Sequence, residues 1–227
     1  MSDRPVFTSG LTRGAALAIV PLLALATACI HFGRLPAREL YRITLPEVVA
    51  ADSTAGMSAR PTSAPASLSG TIAIAEYATP GVYGDPLIVF RIDDTQYGSY
   101  SSREWAVPLS DQLGVLTERV LTRVPLTAQR AVFDPPSRRA QTYVWRGTVR
   151  EFEEVDRGSQ VLAAVRIDVR IARAEDDSIV WSGSSRLERP AQPADMSGIV
   201  QTLSTLADEV LTDLATRAQQ QLSGKRP

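Results

Sequence analysis

The sequence has few of the residues from which most catalytic and metal sites are built. Its 227 residues contain one histidine, His31, one cysteine, Cys29, and one lysine, Lys225. A histidine-based triad or a Cys/His zinc site needs more of these side chains within the folded part. The glycine-rich phosphate loop and the Gly-x-Ser-x-Gly nucleophile turn are also absent. We therefore predict a protein that is not an enzyme and has no cofactor and no metal.

Carboxylates are the remaining catalytic candidates, because a pair of them is enough for a glycosidase, and the sequence leaves that class open. The adjacent acids outside the predicted helices include Asp93–Asp94, Glu153–Glu154 and Asp176–Asp177. They lie where the pattern suggests turns, so we interpret them as solvated residues and not as a calcium site.

The charge is balanced, with 24 basic and 25 acidic residues and a net charge of -1. A nucleic-acid-binding domain normally carries a basic excess, so no nucleic-acid partner is expected. Apolar residues make up 44% of the chain, which is enough for one buried core.

The first thirty residues have the pattern of an exported protein. Arg4 and Arg13 precede an uncharged apolar stretch over 14–30 that ends in small residues before Cys29. The run LATAC at 25–29 resembles a lipobox, at which a bacterial cysteine is acylated before the chain is cut on its amino side. We predict a signal peptide over 1–28 and a lipid (palmitate) anchor at Cys29. The alternative is an uncleaved N-terminal anchor helix.

Ile30 bears on the membrane that holds the anchor. In lipoproteins, an aspartate after the acylated cysteine is the usual signal for retention in the inner membrane. Its absence here predicts a lipid-anchored protein on the outer membrane, facing the periplasm. The alternative is an anchor in the inner membrane, on its periplasmic face.

Composition divides the remainder into a tether and a domain. Residues 29–70 are predicted as a lipidated tether with a short strand near 40–45 and a Pro/Ser/Ala-rich linker from about residue 50. Residues 71–222 are predicted as one folded domain, which fits the usual domain length of roughly 100–200 residues.

Hydrophobic periodicity within the domain predicts two amphipathic helices, over 105–124 and 196–222, the second with Asp195 as its N-cap. Period-two alternation predicts strands, with a hairpin between the second and third and an antiparallel meander from the last three: 71–75, 86–91, 97–100, 143–152, 161–171 and 178–187. The predicted fold class is α+β, with a mostly antiparallel sheet of five or six strands and both helices on one face.

The order of several local runs resembles the ABC-type transport auxiliary lipoprotein components, a family that includes paraquat-inducible protein C. The resemblance covers about residues 40–221. It rests on the lipobox followed by YRITL at 41–45, GDPLIVFR at 84–91 and EWAVPL at 104–109, and on the closing helix. Two runs depart from the family pattern, since Asp85 directly precedes Pro86 and Val107 replaces an acid.

This resemblance implies a non-catalytic, periplasm-facing subunit of an ABC/MCE-type lipid transport system. Its partners would be an MCE-domain protein and an inner-membrane ABC permease with its ATPase, with a homo-oligomer as a further possibility. Asp85, Pro86 and Trp105 are the candidate partner contacts. For Trp105 the competing interpretation, which we favour, is a core residue beneath the first helix.

Two other functions stay open at this point. The domain could itself carry a lipid or acyl chain, which would require a large apolar pocket between helices and sheet. It could also be a pilotin-like assembly factor for another envelope complex, with the same anchor and fold but other partners.

Overall fold

The computed structural model describes residues 37–44, 67–93, 95–135 and 141–224. The predicted signal peptide, the predicted lipidation site Cys29, His31 and most of the predicted linker lie outside these residues. Two α-helices and eight strands make up the described part, with one 3₁₀ turn at Gly81–Gly84. The strands are β1 Glu39–Tyr41, β2 Ile72–Ile74, β3 Leu87–Arg91, β4 Tyr97–Trp105, β5 Val132–Phe133, β6 Tyr143–Arg157, β7 Gln160–Arg173 and β8 Ile179–Pro190. The helices are α1 Leu109–Arg123 and α2 Met196–Ser223.

The antiparallel meander β6–β7–β8 is the largest part of the sheet, and it confirms the prediction for the last three strands. Its alternation is clearest in β7, where Val165, Ile167 and Val169 are buried and Arg166 and Arg170 are exposed. One face of the meander therefore packs on the core while the other meets solvent.

The second edge of β6 is shared by two separate groups of strands. Near its beginning β6 pairs with β2, and β2 pairs in turn with β5. Near its end β6 pairs with β3, which continues to β4 and β1. All of these pairs are parallel except the β3–β4 hairpin, which was predicted.

The predicted fold class is thus right in being α+β, but the sheet is mixed and has eight strands instead of five or six mostly antiparallel ones. The difference comes from short strands. A two- or three-residue strand such as β5 is too short to show an alternation, and alternation does not encode strand direction.

Both helices begin and end close to the predicted positions. Asp195 is the N-cap of α2, and its carboxylate accepts a hydrogen bond from the backbone N–H of Gly198 at 2.9 Å. The helix α2 contacts β6, β7, β8 and α1, while α1 contacts β2 and β5. The helices cover the apolar face of the sheet, as predicted.

The interior between helices and sheet is filled by side chains. Trp145, Ile167, Leu203 and Leu211 are completely buried. Tyr77 joins this interior to α1, because its hydroxyl lies 2.6 Å from Thr117 Oγ1 and accepts from Trp145 Nε1 at 3.0 Å. Within the described part of the chain, neither helix is long and apolar enough to cross a membrane.

Candidate functional site

The loop over 79–86, which contains the candidate contacts Asp85 and Pro86, is held by a buried charged cluster. Tyr83 in the 3₁₀ turn donates its hydroxyl hydrogen bond to Glu153 in β6, and Arg91 Nε in β3 donates to the other oxygen of Glu153 at 2.6 Å. Glu153 is completely buried. A charge at that depth is tolerated only when it is paired and hydrogen-bonded, and both conditions are met here.

The cluster shifts the pKa values of its members. Burial, and then the hydrogen bond to Glu153, raise the pKa of Tyr83, so its hydroxyl stays protonated and remains a donor. Burial alone would lower the pKa of Arg91, but the hydrogen bond to Glu153 and the nearby negative charges of Glu153 and Glu151 together raise it. The loop is therefore anchored to the sheet by the hydrogen bond from Tyr83 to Glu153, next to the ion pair of Glu153 with Arg91.

Asp85 and Pro86 are exposed, directly beyond that anchor. The carbonyl of Pro86 accepts a hydrogen bond from the backbone N–H of Trp105 at 2.7 Å, so the structure brings these two candidates together. The indole of Trp105 is only 6% exposed and packs edge-on against Phe152, with ring centroids 5.6 Å apart. That is the core role we favoured, and it leaves Asp85 and Pro86 as the solvent-facing part of the predicted contact.

Glu153 and Glu154 differ from the sequence interpretation, which placed them at a solvated turn. Both are buried within β6 and, as neighbours on a strand, they face opposite sides of the sheet. Glu154 accepts a hydrogen bond from the hydroxyl of Tyr100 at 2.7 Å. Burial raises the pKa of Glu154 and, together with this hydrogen bond, raises the pKa of Tyr100 to about 12. Their partners Arg91 and Tyr100 belong to β3 and β4, so no local signal predicted the burial.

Asp93, Asp176 and Asp177 are exposed, as expected, whereas Asp94 lies outside the described residues. Asp93 and Asp176 each accept hydrogen bonds from residues two positions ahead, in exposed turns. Among the described residues, no group of three or more His, Cys, Asp or Glu side chains is close enough together to hold a metal ion.

The face of the meander turned away from the helices, which we call the open face, carries mostly charged side chains. Its residues include Arg146, Arg150, Arg166, Asp168 and Arg170, and they line a groove of about 780 Å³. Arg150 binds Asp168 at 2.7 Å and Arg146 binds Asp177, while Arg166 and Arg170 have no ion pair among the described residues. The groove is polar and open, unlike a pocket for an acyl chain.

The outer edge of β8 is a further candidate for a contact. Within the described part of the chain, β8 pairs only with β7, so the other side of this twelve-residue strand has no strand partner. Such an edge can accept a strand from another chain. Ile179 at its start is 57% exposed.

Comparison with known proteins gives a family and a fold. The family model described as "ABC-type transport auxiliary lipoprotein component" matches residues 54–215. A crystal structure from Xanthomonas campestris is similar with a TM-score of 0.63 and 19% identity, over 82% of this chain and 100% of that chain. An uncharacterised protein is similar with a TM-score of 0.58 and 15% identity, over 80% of this chain and 98% of that chain. These identities show the fold alone. No curated protein matches the chain.

Proposed function

The chain belongs to the family of ABC-type transport auxiliary lipoprotein components, and on that premise we propose that it docks an ABC/MCE-type lipid transporter at the outer membrane. In this proposal the domain is lipid-anchored through Cys29, faces the periplasm and catalyses no reaction. Its partners are an MCE-domain protein and, through it, the inner-membrane permease and ATPase.

The observation that carries the proposal is the family match over 54–215. This range includes α1, the part of α2 up to residue 215, and the strands β2 to β8. The lipobox-like run ending at Cys29 supports it independently, since an acylated cysteine attaches the domain to a bilayer. Confinement to a membrane raises the effective concentration of the domain toward a partner in the same envelope.

The geometry supports docking by a rigid surface. The loop over 79–86 is tied to the sheet through Tyr83 and Glu153, so Asp85 and Pro86 are presented with little conformational freedom. A partner that binds an already ordered loop does not lose free energy in ordering it, which favours affinity.

The alternative of a lipid carrier lacks support at the interior. An acyl-chain cavity would lie between the helices and the sheet. The side chains there, such as Ile167, Leu206 and Leu211, are completely buried and closely packed. The pilotin-like alternative shares the anchor and the fold, so only the identity of the partners separates it from the proposal.

The decisive experiment combines the anchor and the partner. The protein and a Cys29→Ala variant are expressed in cells, the inner and outer membranes are separated, and the intact mass of the mature chain is measured. A photo-crosslinking amino acid is then placed at Asp85, with the same amino acid at the exposed turn residue Asp176 as the matched control.

We expect acyl chains on the wild-type protein, its location in the outer membrane, and an MCE-domain protein crosslinked from position 85 but not from 176. The Cys29→Ala variant should lack the additional mass of the acyl chains. A full-length unacylated chain would overturn the anchor. Crosslinks to the components of another envelope machine would favour the pilotin-like function instead.

A further inference from the structure

A second surface, on the helix side of the sheet, combines aliphatic and cationic side chains. A groove of about 220 Å³ lies between the chain after β1 and the helix α1. Its apolar wall consists of Ile43, Val107, Val115 and Leu116. Val107 and Val115 are 44% and 43% exposed.

Two arginines border this groove. Arg42 and Arg119 are both exposed, and among the described residues no carboxylate lies within ion-pair distance of either. The only acid in the groove lining is Asp111, which is half-buried and near Ser110. The border of the groove therefore carries an excess of positive charge.

The surface continues on the other side of Arg42. A neighbouring cleft of about 410 Å³ is lined by Leu40, Arg42 and the α2 residue Val200, among others. Leu40 is 63% exposed, the most exposed large apolar side chain of the described residues. We name the combined set of Leu40, Arg42, Val107, Val115 and Arg119 the anchor-side surface.

The position of this surface in the chain indicates what covers it. Nine residues, 30–38, separate Cys29 from Glu39, the first residue of β1. A chain extends by at most about 3.6 Å per residue, so Cys29 can be no more than about 35 Å from Glu39. An acylated Cys29 therefore keeps Leu40 and Arg42 within reach of the bilayer at all times.

We propose that the anchor-side surface lies against the bilayer, with its aliphatic side chains in the interfacial region and Arg42 and Arg119 on lipid phosphates. This inference rests on the proposed acylation of Cys29. Aliphatic side chains with flanking arginines are the combination that binds bilayer interfaces, because burial of apolar area adds to attraction by anionic headgroups. The contact orients the domain, so that the open face and the loop over 79–86 have a defined direction relative to the membrane.

The first test measures contact in the lipidated full-length mature protein. Val115→Cys carries an environment-sensitive fluorophore, which reacts with this thiol because the acylated Cys29 has none. Ser182→Cys, exposed on the open face, is the matched control. On vesicles containing phosphatidylglycerol, we expect a blue shift and protection from an aqueous quencher at 115 and neither at 182.

The second test removes the charge contribution. The mature chain beginning at residue 29, made unlipidated by Cys29→Ala, is titrated with phosphatidylglycerol vesicles. Arg42→Glu with Arg119→Glu should lower the partition coefficient by about tenfold or more, since each arginine near an anionic surface contributes a factor of roughly five. The control pair, Arg166→Glu with Arg170→Glu, makes the same change in net charge on the open face and should have a much smaller effect.

The two tests separate failure of this inference from failure of the proposed function. Acyl chains on Cys29 with equal fluorescence at 115 and 182 would overturn the membrane contact and leave the docking function intact. Equal effects of the two charge-reversal pairs would overturn it as well, because attraction would then depend on net charge alone. Protection at 115 only after a partner protein is added would assign the surface to that protein.

Discussion

The two faces of the meander β6–β8 contrast sharply, although the same strands build both. Toward the helices, alternate residues such as Val165, Ile167 and Ile171 are buried and apolar. On the open face their neighbours are arginines and acids, several of them joined in ion pairs. The first face is determined by packing, whereas the second is free of that constraint along most of its length.

The contrast ends where the open face meets the loop over 79–86. There Glu153, which shares the open face, is completely buried and bonded to Tyr83 and Arg91. Charged side chains on a solvated face are exchangeable at little cost, but a buried pair is not. The open face therefore has a solvated part and a structural part, and the structural part holds the loop over 79–86.

The largest expected effect comes from breaking that structural part. Glu153→Ala removes the acceptor that Tyr83 and Arg91 share, and it should lower the free energy of unfolding by about 3–5 kcal/mol. Glu209→Ala, which breaks an exposed pair with Arg189, should cost at most about 1 kcal/mol. Urea denaturation of both variants measures the difference, and similar midpoints would show that the Glu153 cluster is not structural.

The next prediction compares the two faces at adjacent positions of β7. Ile167→Ala should lower the free energy of unfolding by about 2–5 kcal/mol, because the lost side chain leaves a cavity in the filled interior. Arg166→Ala on the open face should change it by no more than about 0.5 kcal/mol. Both values come from the same denaturation experiment. A large loss in Arg166→Ala would mean that the open face also has a packing role.

A smaller effect is expected from the polar contact inside the apolar face. Thr117 Oγ1 donates to the carbonyl of Leu113, so the Tyr77 hydroxyl donates to Thr117 and accepts from Trp145. Tyr77→Phe leaves the indole N–H of Trp145 without its acceptor and should cost about 1–3 kcal/mol. A double-mutant cycle with Thr117→Val, followed by thermal unfolding, measures the coupling. Strict additivity would argue against the network.

The smallest effect is a pH dependence at Glu154, on the helix side of the strand. Its folded pKa is raised, mainly by burial, so the folded state holds a proton more tightly than the unfolded state. The contribution of Glu154 to the free energy of unfolding is fully present below its unfolded pKa, near 4.5, and is lost as pH rises through its folded pKa. Glu154→Gln should not show this loss.

The measurement is the free energy of unfolding at several pH values from about 2 to about 8, a range that covers the unfolded and folded pKa values of both carboxyl groups. Relative to Glu154→Gln, the wild type should lose stability as pH rises. Asp176→Asn is the control of opposite sign, because hydrogen bonds from Ser178 lower the pKa of Asp176 and its contribution is lost as pH falls. Parallel curves for wild type and Glu154→Gln would contradict the prediction.

Several elements could be predicted because their information is local. The apolar stripe of α2 and the alternation in β7 are patterns that repeat every few residues, and the Asp195 cap is a single residue next to its helix. The meander follows from three alternating strands joined by short turns. The β3–β4 hairpin was predictable for the same reason. The candidate residues Asp85 and Pro86 came from a resemblance between runs of sequence and not from these periodicities.

The parallel pairings and the burial of two glutamates could not be predicted in this way. The strand β2 pairs with β6 although about seventy residues separate them in the sequence, and Glu153 binds Arg91, which lies sixty-two residues earlier. A charged dipeptide within a strand has the same local appearance as a turn until its partners are known.

Local sequence patterns were enough to predict the secondary structure of the longer elements, the apolar face of the sheet, the favoured core position of Trp105 and a candidate anchor at Cys29. The order and direction of the short strands and the burial of Glu153 with the loop over 79–86 are visible only in the folded chain. The physical reason is that periodicity follows from backbone geometry within a few residues, whereas buried charges and short parallel strands are stabilised only by partners distant in the chain.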